Sequence, residues 1–258
     1  YFKQLFAQVT NPPIDSIREE LVMSLTTFLG NCGNVLKETP QHAHLVKLKN
    51  PILTNEDLER LRASHLPSFQ SATIKISFPA GGDAKELESS LDNLCIEAEE
   101  AVRRGKALIV LSDKNLPKDR APIPSLLAVS AVNNHLIRCG LRTNTSIVIE
   151  TGEAREVMHF ALLLGYGATA VNPYLSLEIV ANMVNSKLIE NVDVTTAMEN
   201  YITSICKGLL KIMSKMGIST LRSYRGAQIF EAVGLNRHVI DKYFTATASR
   251  ISGIGLDV

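Results

Sequence analysis

The sequence has no excess of charge of either sign and no long hydrophobic run. Its 258 residues include 27 Lys and Arg against 26 Asp and Glu, a formal net charge of +1. A near-neutral chain gives no electrostatic reason to expect a nucleic acid or an anionic membrane as a partner. Because no stretch of about 18 consecutive apolar residues occurs, no transmembrane helix is predicted. The first residues lack a basic segment followed by an apolar core, so no signal peptide is predicted either.

The sequence also lacks the short motifs of several catalytic classes. No HExxH, Walker A, GxSxG or GxGxxG is present, and the histidines are scattered. His42 and His44 would project to opposite faces of a strand. The cysteines lie tens of residues apart, unlike the ligands of zinc or iron–sulfur sites. We therefore predict structural thiols in a reducing compartment, no metal site and no catalytic residue. The cysteines are Cys32, Cys95, Cys139 and Cys206.

What the sequence does have is an alternation of strand-like and helix-like segments. Residues 107–112 and 145–150 are apolar on both faces, and helix patterns of ten or more residues separate them. This arrangement is typical of a parallel sheet that is covered on both sides. A single α/β barrel domain commonly has about 250 residues. We predict an α/β fold, TIM-barrel-like (βα), either complete or incomplete and irregular, with helical extensions.

One domain is expected over residues 1–258. We divide it into an N-terminal helical and loop segment (1–40), βα units (41–175) and a mostly helical C-terminal part (176–258). Within the first segment, residues 1–12 are predicted to be helical, and Asp15 is predicted to cap a short helix from Ser16. Because the chain opens at Tyr1 inside an amphipathic stretch, we expect it to be a piece of a longer protein.

The most informative stretch is residues 147–155, IVIETGEAR, followed by residues 164–174, LGYGATAVNPY. Together they are similar to the phosphate-binding end of FMN-dependent barrels, where glycines let backbone N–H groups approach the flavin phosphate. Gly152 keeps the first of these glycines. Glu153 stands at the second, and Tyr174 stands where a later glycine contacts the phosphate. A carboxylate would repel the phosphate and a phenol would fill its volume, so we predict a degenerate site that does not bind FMN.

A basic stretch near the C-terminal end has two interpretations. Three of its lysines are four residues apart and share one helical face. They form either a surface that docks onto an acidic partner or an ordinary solvated helix face. The residues considered as an inter-domain interface are Lys207, Lys211, Lys215, Arg222 and Arg225.

Three long strings carry a resemblance to a known family. Residues 8–19 (QVTNPPIDSIRE), 214–231 (SKMGISTLRSYRGAQIFE) and 247–257 (TASRISGIGLD) resemble the glutamate synthase central domain. The likeness extends over essentially the whole chain. It implies a large oxidoreductase that hydrolyses glutamine in an amidotransferase domain. Ammonia then passes through a tunnel to a barrel with FMN and an iron–sulfur cluster, which makes L-glutamate from 2-oxoglutarate.

The resemblance implies that this chain is the connecting domain. It would be inactive alone, hold no cofactor, and contact the amidotransferase and FMN-binding domains of the same polypeptide. The stiff Pro12-Pro13 segment suits a tunnel wall, and Thr10, Asn11 and Ile14 are predicted to border the ammonia tunnel. The expected location is the cytoplasm, or the plastid stroma if the source is a photosynthetic eukaryote. One alternative is a free-standing TIM-barrel enzyme that acts on a phosphorylated small metabolite, and another is an adaptor that only binds other proteins.

Overall fold

The computed structural model describes residues 1–5, 13–15, 17–34 and 36–257, the side chains of Glu20 and Pro67 excepted. Short 3-10 turns supplement the strands and helices. The strands are β1 (Phe2–Gln4), β2 (Thr27–Leu29), β3 (Val46–Leu48), β4 (Ser71–Lys75), β5 (Ser77–Pro79), β6 (Leu108–Ser112), β7 (Arg120–Pro122), β8 (Ser146–Glu150), β9 (Ala170–Asn172), β10 (Phe230–Leu235) and β11 (Ala248–Ile254). The helices are α1 (Glu19–Val22), α2 (Asn55–Arg62), α3 (Ala84–Arg103), α4 (Ser125–Arg138), α5 (Val157–Gly165), α6 (Tyr174–Asn185), α7 (Val194–Lys215), α8 (Leu221–Tyr224) and α9 (Arg237–Tyr243).

The centre of the fold is a parallel four-stranded sheet in the order β4-β6-β8-β9. Every residue of β6 and β8 is buried. This explains why apolar side chains occur on both faces of each strand and not on one face only. Helix α3 connects β4 to β6, α4 connects β6 to β8, and α5 connects β8 to β9. Such helical crossovers are needed to join parallel strands and cover the sheet.

The two faces of the sheet belong to different apolar clusters. Ile109, Leu111, Ile147 and Ile149 pack with α3, α4 and α5 in the larger cluster. The alternate residues of the same strands point the other way, because successive side chains of a strand lie on opposite faces. There they meet α2 and the β2–β3 hairpin. The side chains of this smaller cluster are Leu29, Leu53, Leu58, Phe69, Leu108, Val110, Val148 and Ala170.

The sheet is extended beside β9 by one further short contact. Ile52 forms a parallel bridge with Val171, and the backbone N–H of Leu53 donates to the Val171 carbonyl at 2.9 Å. The strands that the structure describes do not close into a barrel. The predicted α/β fold is therefore confirmed in its incomplete form.

Both ends of the chain differ from the sequence-based expectation. Residues 2–4 form β1 rather than a helix, and β1 pairs antiparallel with β10. The C-terminal part contains β10 and β11, a parallel pair that the prediction of a mostly helical segment omitted. Gly253 shows why tertiary contacts decide here, since a Cβ at this position would overlap the Gly234 backbone. Residues 6–12, the rest of the predicted first helix, lie outside the described residues.

Several helix ends match their sequence signals. Thr54 and Asp57 form a capping box at the start of α2, and Gly105 follows α3 with φ +85°. Asp15 behaves differently. Its carboxylate accepts from the Ile17 backbone N–H at 2.9 Å, but α1 begins later, at Glu19. Among the described residues, no helix combines the length and apolar character required to cross a membrane.

Candidate functional site

The carboxyl ends of β6, β8 and β9 lie along one edge of the sheet, the edge at which βα folds hold their ligands. Glu150 ends β8 with a side chain that is only 4% exposed. It pairs with Arg62, whose Nη2 lies 2.6 Å from Oε2 and whose Nη1 lies 3.2 Å from Oε1. The Ser112 hydroxyl donates to the same carboxylate at 2.5 Å. Burial alone would raise the pKa of Glu150, but the bonds from Arg62 and Ser112 outweigh it and hold that pKa below its ordinary value.

Asp113, the residue after β6, occupies the centre of this edge. Its carboxylate accepts hydrogen bonds from the Thr151 hydroxyl at 2.5 Å and from the Gly152 backbone N–H at 3.1 Å. The Tyr174 hydroxyl is close enough to Asp113 to favour its ionised form. Burial raises the pKa of Asp113 above its ordinary value, although these hydrogen bonds favour the ionised form. The backbone N–H that a phosphate would use is therefore bonded to a carboxylate of the same chain.

Tyr174 lies directly against Gly152. Its hydroxyl is 3.2 Å from the position that a Cβ on Gly152 would take. Lys114 lies over the ring, with Nζ 4.9 Å from the ring centre. Burial and the neighbouring Asp113 carboxylate raise the pKa of the Tyr174 phenol to about 12. The phenol thus stays protonated and able to donate at neutral pH.

Glu153 points elsewhere, to the start of α4. Its Oε2 accepts from the Ser125 backbone N–H at 2.8 Å and from the Ser125 hydroxyl at 2.5 Å. An acidic group is favourable at a helix N-terminus, where backbone N–H groups lack intrahelical partners. The carboxylate therefore caps α4, instead of facing Gly152 as the sequence pattern implied.

Of the predicted degenerate phosphate site, the structure brings Gly152 and Tyr174 together and directs Glu153 to a neighbouring helix. No motif in the sequence indicated Asp113. Its position directly after a buried strand was the available signal, because the carboxyl ends of adjacent parallel strands meet at one edge. The Gly152 N–H, the donor that the sequence pattern assigned to a flavin phosphate, already donates to the Asp113 carboxylate. The residues at this edge do not fit such a phosphate.

We expect that Asp113→Ala frees the donors at this edge and creates a weak site for inorganic phosphate. At roughly tenfold excess over a Kd on the order of 1 mM, phosphate would stabilise the variant by about 1.4 kcal/mol. Thermal unfolding with and without phosphate measures the shift. Asp241→Ala is the control, because Asp241 is an exposed partner of Arg237. Equal phosphate shifts in the two variants would contradict the assignment of Asp113.

Of the three predicted tunnel residues, the structure describes only Ile14. Thr10 and Asn11 lie outside the described residues. Ile14 is partly buried and packs against the larger apolar cluster, and its backbone N–H donates to the Ser214 carbonyl at 2.8 Å. Ile14 is therefore fixed against the C-terminal end of α7.

The predicted interface residues do not form one surface of equivalent side chains. Lys207, Lys211 and Lys215 are exposed along α7, and Lys211 forms an ion pair with Glu19 at 3.0 Å. Arg222 is exposed on α8. Arg225 is half-buried, and its Nη2 donates to the Thr27 hydroxyl at 3.2 Å. Its side chain thus points toward the start of β2.

A second polar cluster joins α3 to α4. His135 Nε2 lies 2.6 Å from a carboxylate oxygen of Glu99, and the Cys139 thiol donates to that oxygen at 3.3 Å. These three side chains could together hold a metal ion, a grouping that the wide spacing of the cysteines did not indicate. Arg103 pairs with the same carboxylate and, together with His135, holds the pKa of Glu99 at about 2. The absence of a metal from this chain stays a prediction.

Comparison with known proteins identifies relatives over nearly the whole chain. A model of the family described as glutamate synthase central domain matches residues 1–236. The NADPH glutamate synthase large chain of Bacillus subtilis is 49% identical over 99% of this chain and 16% of its own length. The ferredoxin-dependent glutamate synthase 1 of Arabidopsis thaliana is 47% identical over 100% of this chain and 16% of its own. The NADH glutamate synthase of Schizosaccharomyces pombe is 44% identical over 98% of this chain and 12% of its own length.

The chain thus spans about a sixth of the length of these relatives, or less. Among solved structures, a flavocytochrome b2 with sulfite bound covers 76% of this chain and 45% of its own, with 17% identity and a TM-score of 0.46. That likeness is too distant to carry an argument. The family match and the relatives are sufficient by themselves: the chain belongs to the glutamate synthase central domain family.

Proposed function

We propose that this chain is a non-catalytic scaffold that connects the glutamine amidotransferase and FMN-binding synthase domains of one polypeptide. In that role it helps to wall the ammonia tunnel during synthesis of L-glutamate from glutamine and 2-oxoglutarate. The relatives support this proposal, because each is a glutamate synthase several times longer than the matched segment. FMN and the iron–sulfur cluster then belong to the neighbouring synthase domain. The proposed location is the cytoplasm, or the plastid stroma where the relatives are named chloroplastic.

The observation that carries the non-catalytic role is the state of the carboxyl edge of the sheet. The Gly152 N–H donates to Asp113, the Ser125 N–H at the start of α4 donates to Glu153, and Arg62 pairs with Glu150 and Glu59. The groups that would bind and polarise a substrate are bonded to one another. The same arrangement weighs against the alternative of a free-standing enzyme for a phosphorylated metabolite.

A connector of this kind must hold two active sites at a fixed separation and keep ammonia away from water. Two consecutive prolines fix φ at two positions and remove two backbone donors, which gives a stiff segment. The fixed position of Ile14 supports a rigid wall next to α7. We therefore propose that Thr10, Asn11 and Ile14 border the tunnel.

Asn11→Ala in the full-length enzyme should uncouple the two reactions. A smaller side chain in the wall lets ammonia escape, so more glutamine is hydrolysed than is used for synthesis. We expect the ratio of glutamine hydrolysed to 2-oxoglutarate consumed to rise from one to roughly two or more, with little change in the glutaminase rate. Parallel assays of glutamate and free ammonia measure the ratio.

Asn200→Ala provides the matched control, because Asn200 is exposed on α7. It should leave the ratio at one. If Asn11→Ala also keeps strict one-to-one coupling, the tunnel assignment of Asn11 is wrong, while the connecting role of the chain is untouched.

A further inference from the structure

A wide opening lies at the edge of the sheet opposite to the candidate site. It is a cavity of ≈ 700 Å³, which we call the basic cleft. Ser146 at the start of β8, Thr169 before β9 and Thr27 at the start of β2 all line it. It is therefore formed at the amino ends of the central strands, away from Asp113 and Glu150.

The basic cleft carries charge of only one sign. None of its lining residues is acidic. Among the described residues, none of its three arginines forms an ion pair closer than 4.0 Å. Its hydroxyl-bearing residues are neutral. The cations that line it are Lys47, Arg142, Arg222 and Arg225.

Two of these guanidinium groups are enclosed and hydrogen-bonded only to neutral groups. Arg142 donates to the Asn133 side-chain oxygen at 2.7 Å and to the Gly167 carbonyl at 2.7 Å. Arg225 has two long contacts to threonine hydroxyls, at 3.2 and 3.4 Å, and its buried Nε has no hydrogen-bond partner. Burial and the nearby Arg225 lower the pKa of Arg142 to about 10.

An enclosed charge without a counter-ion is costly unless a partner supplies one. Buried donors are rarely left without partners. Two neighbouring positive groups increase the cost, because each repels the other. Arg142 is held by three neutral acceptors, whereas the buried Nε of Arg225 has none.

We propose that the basic cleft receives an acidic side chain from a segment of the same polypeptide that lies outside residues 1–258, with its carboxylate held by Arg225 and Arg222. This inference deepens the proposed connecting role and rests on it. It assigns Arg222 and Arg225, rather than the α7 lysines, to the contact between domains.

The surroundings of the cleft favour a protein segment over a free ion. Phe28 and Ile137 line it with side chains that are 44% and 55% exposed. Apolar contacts around an arginine anchor are characteristic of protein interfaces. The relatives extend well beyond this chain, which covers 16% of the Bacillus subtilis protein, so a segment of the same polypeptide is the occupant that we propose.

Carbodiimide cross-linking of the full-length protein tests the proposal. The reagent joins a carboxylate to a primary amine in direct contact, and it does not join a carboxylate to a guanidinium. Arg225→Lys keeps the charge and places an amine in the cleft. After digestion, mass spectrometry should find an amide link from position 225 to an Asp or Glu outside residues 1–258, absent from the wild type. High salt during the reaction should lower its yield severalfold if the contact is ionic.

Arg222→Lys is the second variant, because Arg222 is exposed and its replacement does not disturb the interior. It should link to the same acidic segment. Arg237→Lys is the reaction control, since Arg237 pairs with Asp241 at 3.0 Å and should link within the chain.

The proposal is overturned if the control links to Asp241 while neither cleft variant links outside residues 1–258. A link from position 225 to a carboxylate within this chain also overturns it. These outcomes are separable from failure of the connecting role, because loss of coupling in Asn11→Ala can still be observed when the cleft makes no such contact.

Discussion

Arg62→Met should lower the free energy of unfolding by about 3–5 kcal/mol, because it leaves the buried carboxylate of Glu150 without its counter-ion. The pair is bidentate, and neither side chain is more than 22% exposed. Removal of one member of such a pair is more damaging than replacement of both, since the remaining charge stays desolvated. Chemical denaturation of the 258-residue chain at neutral pH measures the change.

The pH dependence of this loss has a definite sign. In the wild type, the bonds from Arg62 and Ser112 hold the pKa of Glu150 below its ordinary value despite its burial, so its ionised form stabilises the fold above the ordinary carboxyl pKa. This contribution disappears as the pH falls through the lowered pKa. In Arg62→Met, the unpaired buried carboxyl should instead have a raised pKa. The difference between the two proteins should therefore shrink as the solution is acidified below neutral pH.

Arg60→Met is the matched control on the same helix. Arg60 lies 2.6 Å from Glu56, the same distance as in the buried pair, but both side chains are more than 70% exposed. Exposed pairs contribute about 0–1 kcal/mol. If the two variants lose equal stability, burial is not the cause and the interpretation of Glu150 is wrong.

Gly167→Ala should be comparably destabilising, by roughly 3–5 kcal/mol. Gly167 has φ +120°, a conformation that residues with a side chain rarely adopt, and a Cβ there would overlap the Asn133 amide. Asn133 and the Gly167 carbonyl both hold Arg142. The substitution thus adds backbone strain and also displaces a support of the basic cleft. Thermal and denaturant unfolding should both report the loss.

Gly105→Ala separates strain from overlap. Gly105 also has positive φ, +85°, but nothing lies within 4 Å of the position of an added Cβ. Its replacement should lower the free energy of unfolding by about 1–2 kcal/mol, through the strain of a left-handed backbone alone. A loss at Gly105 as large as that at Gly167 would show that contact with Asn133 adds nothing.

The local elements of the central sheet were predictable because their signals are local. The apolar runs of β6 and β8, the capping box before α2 and the glycine after α3 each depend on a few consecutive residues. β1, β10 and β11 were not predictable in this way. Three residues of β1 satisfy both helical and strand periodicity, and only pairing with a distant strand selects one.

The residues of the candidate site also differ in whether local sequence or distant contacts determine them. The sequence pointed to Gly152 and Tyr174, because their spacing follows a known βα arrangement. It could not assign Glu153 to the start of α4 or place Asp113 against the Gly152 N–H, since each contact joins residues of different βα units. The direction of a side chain depends on its neighbours in space, which a strand-by-strand pattern does not contain.

By itself, the sequence determined the family and the parallel α/β core, and it drew attention to Gly152 and Tyr174. Only the tertiary structure decided how the carboxyl edge of the sheet is satisfied and where the basic cleft lies. Arg142 and Arg225 lie far apart in the chain and belong to no shared motif. Their positive charges meet because folding brings both side chains to one cleft, where partial burial weakens the screening by water.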